Sequence, residues 1–320
     1  RRETGHEWGT NPCSEIILRP YQFCNLTEVV VRESDDLNSL KRKVRLATIL
    51  GTVQSTFTKM PYLRKVWQKN TAEERLLGVS LTGIMDNRLL CRTVDSSRWL
   101  AEMKEVAIQT NADYAEKFGI EASAAITCVK PSGTVSQLVD SASGIHARHS
   151  EYYIRTVRGD NKDPLTQFMK DSGIPAEPCV MKPDSTTVFS FPMKAPTGAV
   201  TRNDMSALEQ LSLWKNYALS WCEHKPSVTI TVRDEEWMAV GSWVYENFDI
   251  CSGISFLPHS DHTYAQAPYQ DIDKEQYETL KEQMPSTIDW TALALYEKED
   301  STSGSQTLAC TAGACEIVDI

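Results

Sequence analysis

The sequence predicts an α/β fold with parallel strands, and three observations support this prediction. Short apolar segments typical of buried strands alternate with longer segments in which apolar residues recur at helical spacing. The alternation of strand, loop and helix is typical of parallel sheets, where a helix connects one strand to the next. The composition, with 41% hydrophobic and 24% charged residues, is that of a globular protein and excludes a disordered chain or a coiled-coil rod.

The first elements are two short strands, a helix and a third strand. Ile16–Leu18 and Val29–Val31 are apolar enough to be short buried strands. Apolar residues three or four positions apart predict an amphipathic helix over 36–58. The segment 76–86 is apolar with two glycines, which favours a buried strand or a tight junction between a strand and a loop.

A second helix and a fourth strand follow. Helical periodicity covers 97–118, and Gly119 is placed to end this helix because glycine readily adopts the left-handed conformation. The apolar segment 124–129 is predicted to be a buried strand. It leads into the loop 130–134 and the start of a helix at 135–139.

The second half of the chain continues the alternation. Residues 186–192 are predicted to form a strand, 204–223 a helix and 227–232 another strand. A tryptophan-rich helix is predicted over 233–248, followed by a short strand over 253–258. The tryptophans of this helix are expected in the core.

Charge and cysteine content exclude several classes of function. The formal net charge is −10, and it divides into −13 after residue 225 and +3 before it. Because no strongly basic face is present, nucleic-acid binding is disfavoured. No apolar run approaches the roughly 18 residues of a membrane span. The nine cysteines are too few for a disulfide scaffold, which favours a reduced, cytoplasmic setting with catalytic or redox-active thiols.

The first candidate site is the segment Asn11-Pro12-Cys13-Ser14-Glu15. In an extended chain, alternate side chains share a face, so Asn11, Cys13 and Glu15 are expected side by side. A thiol flanked by an amide and a carboxylate suits work on a polyol, because the carboxylate can take a hydroxyl proton that the amide orients. The alternative is a buried structural cysteine beside an accidental polar pair.

Other cysteines extend this picture. Cys24 lies in an apolar stretch and, taken alone, reads as a core residue. Cys310 and Cys315 lie near the C-terminus among small residues, where a dithiol can exchange with partners. A mobile dithiol without a role is the alternative. A closed zinc site is not predicted, because no second cysteine pair lies nearby.

A loop between a predicted strand and a predicted helix is a candidate phosphate site. Backbone N–H groups, the helix dipole and hydroxyl groups favour a phosphate at such a position. The loop lacks the ending of a Walker A motif, so a capped turn remains the alternative. The residues concerned are Pro131, Ser132, Gly133, Thr134, Val135 and Ser136. No metal site is predicted: the His146/His149 and His259/His262 pairs lie in segments without clear helical pattern.

Taken together, these motifs resemble the catalytic chain of ribonucleotide reductases, specifically the class II, adenosylcobalamin-dependent enzymes. They occur in the family's order along nearly the whole chain. They are NPCSE (11–15), CNL (24–26), LLGVSLTGI (76–84), KPSGTVS (130–136), YYIRTVR (152–158), FLP with HTYAQAPY (256–269) and CTAGAC (310–315).

The resemblance implies a role for each candidate residue. Cys13 would carry the thiyl radical that removes the ribose 3′ hydrogen, Glu15 would be the general base, and Asn11 would hold substrate hydroxyls. Cys24 would be one of two reducing thiols, and residues 131–136 would bind the nucleotide's phosphates. Cys310 and Cys315 would reduce the resulting disulfide and then be renewed by thioredoxin or a similar reductant.

The family fold is a ten-stranded α/β barrel with the radical cysteine on a central finger loop. The resemblance implies that residues 1–300 form the C-terminal half of this barrel and residues 301–320 a flexible redox tail. The second reducing cysteine and the region of allosteric control would lie upstream of NPCSE. We therefore expect the N-terminal portion of the same reductase to be a partner, with a ribonucleotide as substrate and without nucleic acid or membrane.

Three details of the sequence favour class II over the other branches of the family. Class I large subunits carry an adjacent tyrosine pair in their C-terminal part, and none occurs here after Pro226. Proline before Cys13 also resembles class II, and the missing D-x-H-x-x-G signature favours the monomeric ribonucleoside-triphosphate reductases. The alternatives are a fragment of a class I, iron-dependent diphosphate reductase and a non-enzymatic thiol or zinc-binding module.

Overall fold

The structure is a computed structural model that describes residues 5–259 and 264–297. The described residues divide into two compact units. Unit 1 comprises residues of Arg1–Arg148 and Pro196–His259, and unit 2 comprises residues of His149–Ala195 and Ser260–Ile320. Within the described part of the chain, every helix is too short or too polar to cross a membrane.

The strands are mostly short. In chain order they are β1 (Gly9–Thr10), β2 (Ile17–Leu18), β3 (Asn25–Val30), β4 (Leu77–Thr82), β5 (Tyr152–Asp160), β6 (Ala176–Pro178), β7 (Thr186–Lys194), β8 (Val228–Val232), β9 (Ile254–Pro258) and β10 (Tyr269–Asp271). The helices are α1 (Leu37–Gln54), α2 (Lys65–Glu74), α3 (Thr93–Phe118), α4 (Gly133–Leu138), α5 (Pro164–Asp171), α6 (Ala207–Ser220), α7 (Trp237–Glu246) and α8 (Lys274–Gln283).

Unit 1 is built on a series of parallel strand segments. Strand β3 pairs with β4, and β8 pairs with β9, both in parallel. Residues 126–129 join these two pairs through parallel bridges from Thr127 to Val79 and from Val129 to Pro226. The order is therefore β3, β4, 126–129, β8 and β9, and the described strands form no closed sheet.

The helices of unit 1 begin and end where the sequence supplies suitable caps. Asp36 accepts a hydrogen bond from the Ser39 N–H at the start of α1, and Ser206 and Glu209 form a capping box on α6. Gly119 ends α3 with φ of +64°, a conformation that glycine adopts without strain. The predicted ends of these helices agree with the structure to within a few residues.

The core of unit 1 lies between the parallel strands and the helices. Val79 and Leu81 of β4 are fully buried with Leu40 and Val44 of α1 in one apolar cluster that also includes residues of α3 and α6. Two indole N–H groups, one within α6 and one directly after it, connect this layer to the strands. Trp214 donates to the Pro226 carbonyl at 2.9 Å, and Trp221 donates to the Cys128 carbonyl at 2.8 Å.

Arg148 connects the two stretches of chain that make up unit 1, which are separated in sequence by a segment of unit 2. Its backbone forms a parallel bridge with Thr201, and its N–H donates to the Val200 carbonyl at 2.9 Å. Its guanidinium is buried and forms two hydrogen bonds of 2.9 Å with both carboxylate oxygens of Asp86. This bidentate pair fixes the point at which the chain leaves unit 1.

Unit 2 contains an antiparallel sheet with the strand order β10–β5–β7–β6. Strands β5 and β7 pair over nine residues each, and Phe168, Ile174 and Phe189 lie in a small apolar cluster beside them. The sequence analysis predicted parallel strands, so this sheet differs from the prediction. The segment 152–158, named there only as a motif of the family resemblance, is part of β5.

The described residues are therefore a mixed α/β protein, as the sequence predicts. Strand β2 lies at Ile17–Leu18 and is only half-buried, whereas a buried strand was expected there. Helices α2, α5 and α8 were not predicted. The predicted redox tail, residues 301–320, lies outside the described residues, and the boundary at residue 300 stays a prediction.

Candidate active site

Residues Asn11 to Ile16 form a tight turn between β1 and β2. The Asn11 carbonyl accepts from the Ser14 N–H at 2.9 Å, and the Asn11 Oδ1 accepts from the Ile16 N–H at 3.0 Å. Ser14 adopts a left-handed conformation with φ of +63°. The prediction of an extended segment with three side chains on one face is therefore wrong, because the Asn11 amide bonds its own backbone and stabilises a turn.

Glu15 follows this turn and is fully buried. Its Oε1 forms an ion pair with the Lys130 Nζ at 2.9 Å. Its Oε2 is buried and has no hydrogen-bond partner among the described residues. Burial alone would lower the pKa of Lys130, but the hydrogen bond and charge of Glu15 outweigh it and raise that pKa. Glu15 therefore presents one paired oxygen and one oxygen able to accept a proton.

Cys13 lies in the same turn, with a half-buried side chain. Partial burial raises the pKa of its thiol, the Glu15 carboxylate raises it further, and Lys130 offsets part of this effect. The side chain therefore carries its proton at neutral pH. An S–H group of this kind can give up a hydrogen atom, whereas a nucleophilic cysteine needs a lowered pKa.

Cys24 immediately precedes β3 and lies against β4. A Cβ atom built on Gly78 would lie 3.3 Å from the Cys24 Sγ and 2.4 Å from the Leu26 Cδ2. Glycine at position 78 is therefore required for these two side chains to pack against β4. The sequence alone indicated a core position, and the structure gives this thiol a half-buried one.

Cys128, which the sequence analysis did not single out, lies near these groups, since Cys24 and Glu15 both affect its pKa. The neighbouring Thr127 hydroxyl donates to the Trp221 carbonyl on the helix side, so alternation places Cys128 on the opposite face. Cys128 is fully buried, and its pKa is raised well above the usual range by burial, then by Cys24, Cys222 and Glu15. The i, i+2 spacing of Cys128 and Lys130 is the signal that could have found it.

The candidate phosphate loop begins at the end of the segment 126–129. The Lys130 N–H donates to the Ser80 Oγ at 2.9 Å, and Ser132 has a left-handed φ of +56°. Gly133, Thr134 and Val135 are exposed at the start of α4, whereas Ser136 is buried with its Oγ 2.7 Å from the Ser143 Oγ. The exposed end of the loop is thus backed by buried hydroxyl groups.

The Ser132 hydroxyl is held by a residue that the sequence analysis missed. It donates to the Glu28 Oε2 at 2.8 Å, and the Ser80 hydroxyl lies 3.4 Å from the Glu28 Oε1. Glu28 and Ser80 are direct partners in the parallel pairing of β3 with β4. The spacing of Cys24, Leu26 and Glu28 at alternate positions of a strand is the signal that could have found Glu28.

The structure therefore brings together Cys13, Glu15, Cys24 and the loop 130–136 in unit 1. Cys310 and Cys315 lie outside the described residues. His146 has backbone contacts at both ring nitrogens: its Nδ1 lies 2.9 Å from the Ser143 carbonyl, and its Nε2 accepts from the Thr229 N–H. Among the described residues no group of three or more His, Cys, Asp or Glu side chains could hold a metal ion.

Comparison with known proteins identifies relatives of one kind. The chain is 32% identical over 276 residues to the adenosylcobalamin-dependent ribonucleoside-triphosphate reductase of Euglena gracilis, covering 84% of this chain and 37% of that protein. It is 28% identical over 343 aligned positions to the enzyme of the same name from Lactobacillus gasseri, covering 98% of this chain and 46% of that protein. No profile of a known protein family matches the chain.

A solved structure agrees with these relatives. The crystal structure of a B12-dependent, class II ribonucleotide reductase matches with a TM-score of 0.77 and 26% identity over 90% of this chain and 44% of the other. Over most of its length the chain is similar to class II, adenosylcobalamin-dependent ribonucleotide reductases. It spans less than half the length of these relatives. The resemblance inferred from the motifs is confirmed, whereas the roles of the individual residues stay predictions.

Proposed function

We propose that this chain is the C-terminal catalytic portion of a class II reductase that converts ribonucleoside triphosphates to 2′-deoxyribonucleotides. The observation that supports this most directly is the buried, unpartnered Oε2 of Glu15 in the same turn as the protonated thiol of Cys13. A carboxylate oxygen without a protein donor is available to a substrate hydroxyl. Lys130 holds the other oxygen and so keeps the carboxylate oriented.

The proposed reaction uses these groups in sequence. A thiyl radical at Cys13 takes the 3′ hydrogen atom of the ribose, and Glu15 takes the proton of the 3′ hydroxyl. The 2′ hydroxyl takes a proton from one reducing thiol and leaves as water, and the other reducing thiol gives a hydrogen atom to C2′. The two sulfur atoms form a disulfide as their remaining electron reduces the 3′ carbon, whose oxygen takes the proton back from Glu15. Cys13 then returns the hydrogen atom to C3′. Cys24 is one reducing thiol, and the other would belong to the rest of the reductase, as the resemblance implies.

Asn11 has a narrower role than the sequence suggested. Its Oδ1 accepts from the Ile16 N–H and therefore maintains the turn that presents Cys13. Its amide nitrogen can serve a substrate hydroxyl as a donor. We therefore propose that Asn11 both shapes the turn and donates to the ribose.

Adenosylcobalamin fits the chemistry of these residues. When bound, it supplies the radical equivalent that removes the hydrogen atom from the Cys13 thiol. That transfer requires an S–H group, and the raised pKa of Cys13 provides one. The cofactor carries its metal in its own macrocycle, so it needs no cluster of protein ligands. Cys13 is the residue that would face it.

The loop from Pro131 to Ser136 is the proposed phosphate site. Its exposed residues Gly133 to Val135 leave backbone N–H groups open at the first turn of α4. Both curated relatives described above are named as triphosphate reductases, which favours a triphosphate over the diphosphate of the class I alternative.

The partners follow from the share of the relatives that this chain spans. We propose that the N-terminal portion of the reductase supplies the second reducing thiol and the remaining strands of a ten-stranded barrel. The five parallel segments of unit 1 would be half of that barrel, and the turn holding Cys13 would be its finger loop. Cys310 and Cys315 would pass electrons from thioredoxin in the cytoplasm.

The test is an assay of nucleotide reduction by this chain together with the rest of the reductase. With adenosylcobalamin, a ribonucleoside triphosphate and a dithiol, we expect turnover that Cys13→Ser abolishes. Cys251→Ser is the matched control and should retain activity, because Cys251 lies outside the proposed chemistry. Activity that needs an iron-containing subunit instead of cobalamin would overturn the class II proposal, and zinc binding without reduction would favour the non-enzymatic alternative.

A further inference from the structure

A carboxylate lies directly against the candidate phosphate loop. The Glu28 Oε2 accepts from the Ser132 hydroxyl at 2.8 Å, and the Ser80 hydroxyl approaches the Oε1 at 3.4 Å. The Ser80 Oγ in turn accepts from the Lys130 N–H at 2.9 Å. One carboxylate on β3 therefore holds the loop at two points, the backbone of Lys130 and the side chain of Ser132.

This arrangement conflicts with phosphate binding while the carboxylate is charged. A hydroxyl group has one proton to donate, and the Ser132 proton is given to Glu28. A phosphate at the loop would compete for the same proton and would be repelled by the negative charge. The nearest cation, Lys130, forms an ion pair with Glu15, so its charge is shared between two carboxylates.

We propose that Glu28 is a positioning residue of the phosphate loop, which releases the Ser132 hydroxyl to a nucleotide phosphate only when its own carboxyl carries a proton. A protonated carboxyl donates to a lone pair of the Ser132 Oγ, and the Ser132 O–H is then directed to the phosphate. Nucleotide binding therefore takes up one proton at Glu28. This inference rests on the proposed function, since it assumes that the loop binds a nucleotide's phosphates.

The groups around Glu28 favour the uptake of a proton by its carboxylate. Burial raises the pKa of Glu28, while the hydrogen bond from Ser132, the charge of Lys130 and the hydrogen bond from Ser80 offset part of the effect. Further titratable groups near this side of the strands are Cys13, Glu15, Cys24 and Cys128. Burial keeps Cys128 neutral. An incoming phosphate adds negative charge and moves Glu28 further toward its protonated form.

The sign of the pH dependence follows from this linkage. Below the pKa of Glu28 the carboxyl is already protonated, and nucleotide affinity is independent of this group. Above that pKa the proton must be taken from solvent, so affinity falls by about tenfold for each pH unit. Replacing Glu28 with glutamine removes this dependence, because the amide N–H donates permanently to the Ser132 Oγ.

The experiment is calorimetry of a ribonucleoside triphosphate binding to the complete reductase between pH 6 and 9, in two buffers of different ionisation enthalpy. We expect Glu28→Gln to lose the uptake of one proton and, at the alkaline end, to bind at least about tenfold tighter than the unmodified protein. The nucleotide's own phosphate titrates equally in both proteins, so the difference between them reports Glu28. Glu102→Gln, which alters a half-buried ion pair between α1 and α3, should match the unmodified protein.

A second variant tests the same idea if Glu28→Gln does not fold. Ser80→Ala removes a donor that lowers the pKa of Glu28, so the pH dependence should persist and move to higher pH. Equal proton uptake and equal slopes in Glu28→Gln and the unmodified protein would overturn this inference alone. Failure of the unmodified reductase to bind nucleotide at any pH would overturn the proposed function as well.

Discussion

The two faces of the parallel strands in unit 1 differ in what they contribute. The apolar face, represented by Val29, Val79 and Leu81, packs into the buried cluster with the helices. The polar face carries Glu28, Ser80 and Cys128, and Glu15 and Lys130 lie next to it. Because successive side chains of a strand point to opposite faces, adjacent residues serve stability and chemistry separately. Substitutions on the two faces should therefore have separable effects.

The largest effect is expected for Glu15→Gln, beside the polar face. The amide cannot take a proton from a ribose hydroxyl, so kcat should fall by roughly 10²–10⁴-fold, the usual contribution of a general base. The measurement is steady-state nucleotide reduction, together with the thermal midpoint to show that the fold persists.

A second carboxylate serves as the control for Glu15→Gln. Glu102→Gln changes a carboxylate of α3 that pairs with Lys41 on the surface, and its kcat should stay unchanged. If Glu15→Gln retains full turnover, proton transfer by this carboxylate is excluded and the buried Oε2 has another role.

A smaller effect of a different kind is expected on the apolar face. Leu81 is fully buried in the core of unit 1, so Leu81→Ala should lower the free energy of unfolding by about 2–5 kcal/mol. The activity of the molecules that remain folded should not change. Urea denaturation with activity normalised to folded protein measures both quantities.

The matched control is Leu46→Ala. Leu46 lies on α1 with 58% of its side chain exposed, and its removal should change stability by less than about 0.5 kcal/mol. A normalised kcat that falls in Leu81→Ala as steeply as in Glu15→Gln would contradict the separation of the two faces.

The smallest effect concerns the titration of Cys13. Because burial and Glu15 raise the pKa of its thiol, alkylation by iodoacetamide should be slower than for an ordinary cysteine at pH 8 and should increase above pH 9. Lys130→Met removes a positive charge and should move the inflection to higher pH, whereas Glu15→Gln should move it to lower pH. Shifts in the opposite directions would contradict the electrostatic account of this site.

Much of unit 1 could be predicted from the sequence because its signals are local. The helix over 36–58 has an apolar periodicity and a capping aspartate, and the structure places α1 at Leu37–Gln54. The turn at Asn11 could not be predicted by strand alternation, since it depends on one hydrogen bond from Ile16 to the Asn11 side chain. The role of Glu28 depends on Ser132, which is 104 residues away in the chain.

The order of the strands could not be predicted from local sequence patterns, because it also depends on contacts between distant residues. Strand β5 carries apolar and polar residues in no clear alternation, and its direction is set by nine pairs with the distant β7. The family resemblance named Cys13, Cys24, Cys310 and Cys315 as site residues, and their roles stay predictions. It gave no indication that Cys128 lies on the face opposite the helices, which required the position of Thr127 against Trp221.

The bridge between Arg148 and Thr201 has a consequence for the entropy of the chain. Because both residues belong to unit 1, the 149–195 excursion is a loop whose ends are tied by unit 1 itself. The entropic cost of closing a flexible loop grows only with the logarithm of its length, by about 0.6 kcal/mol per doubling. Insertions or deletions in the turns of this excursion should therefore change the stability of the parallel strands little.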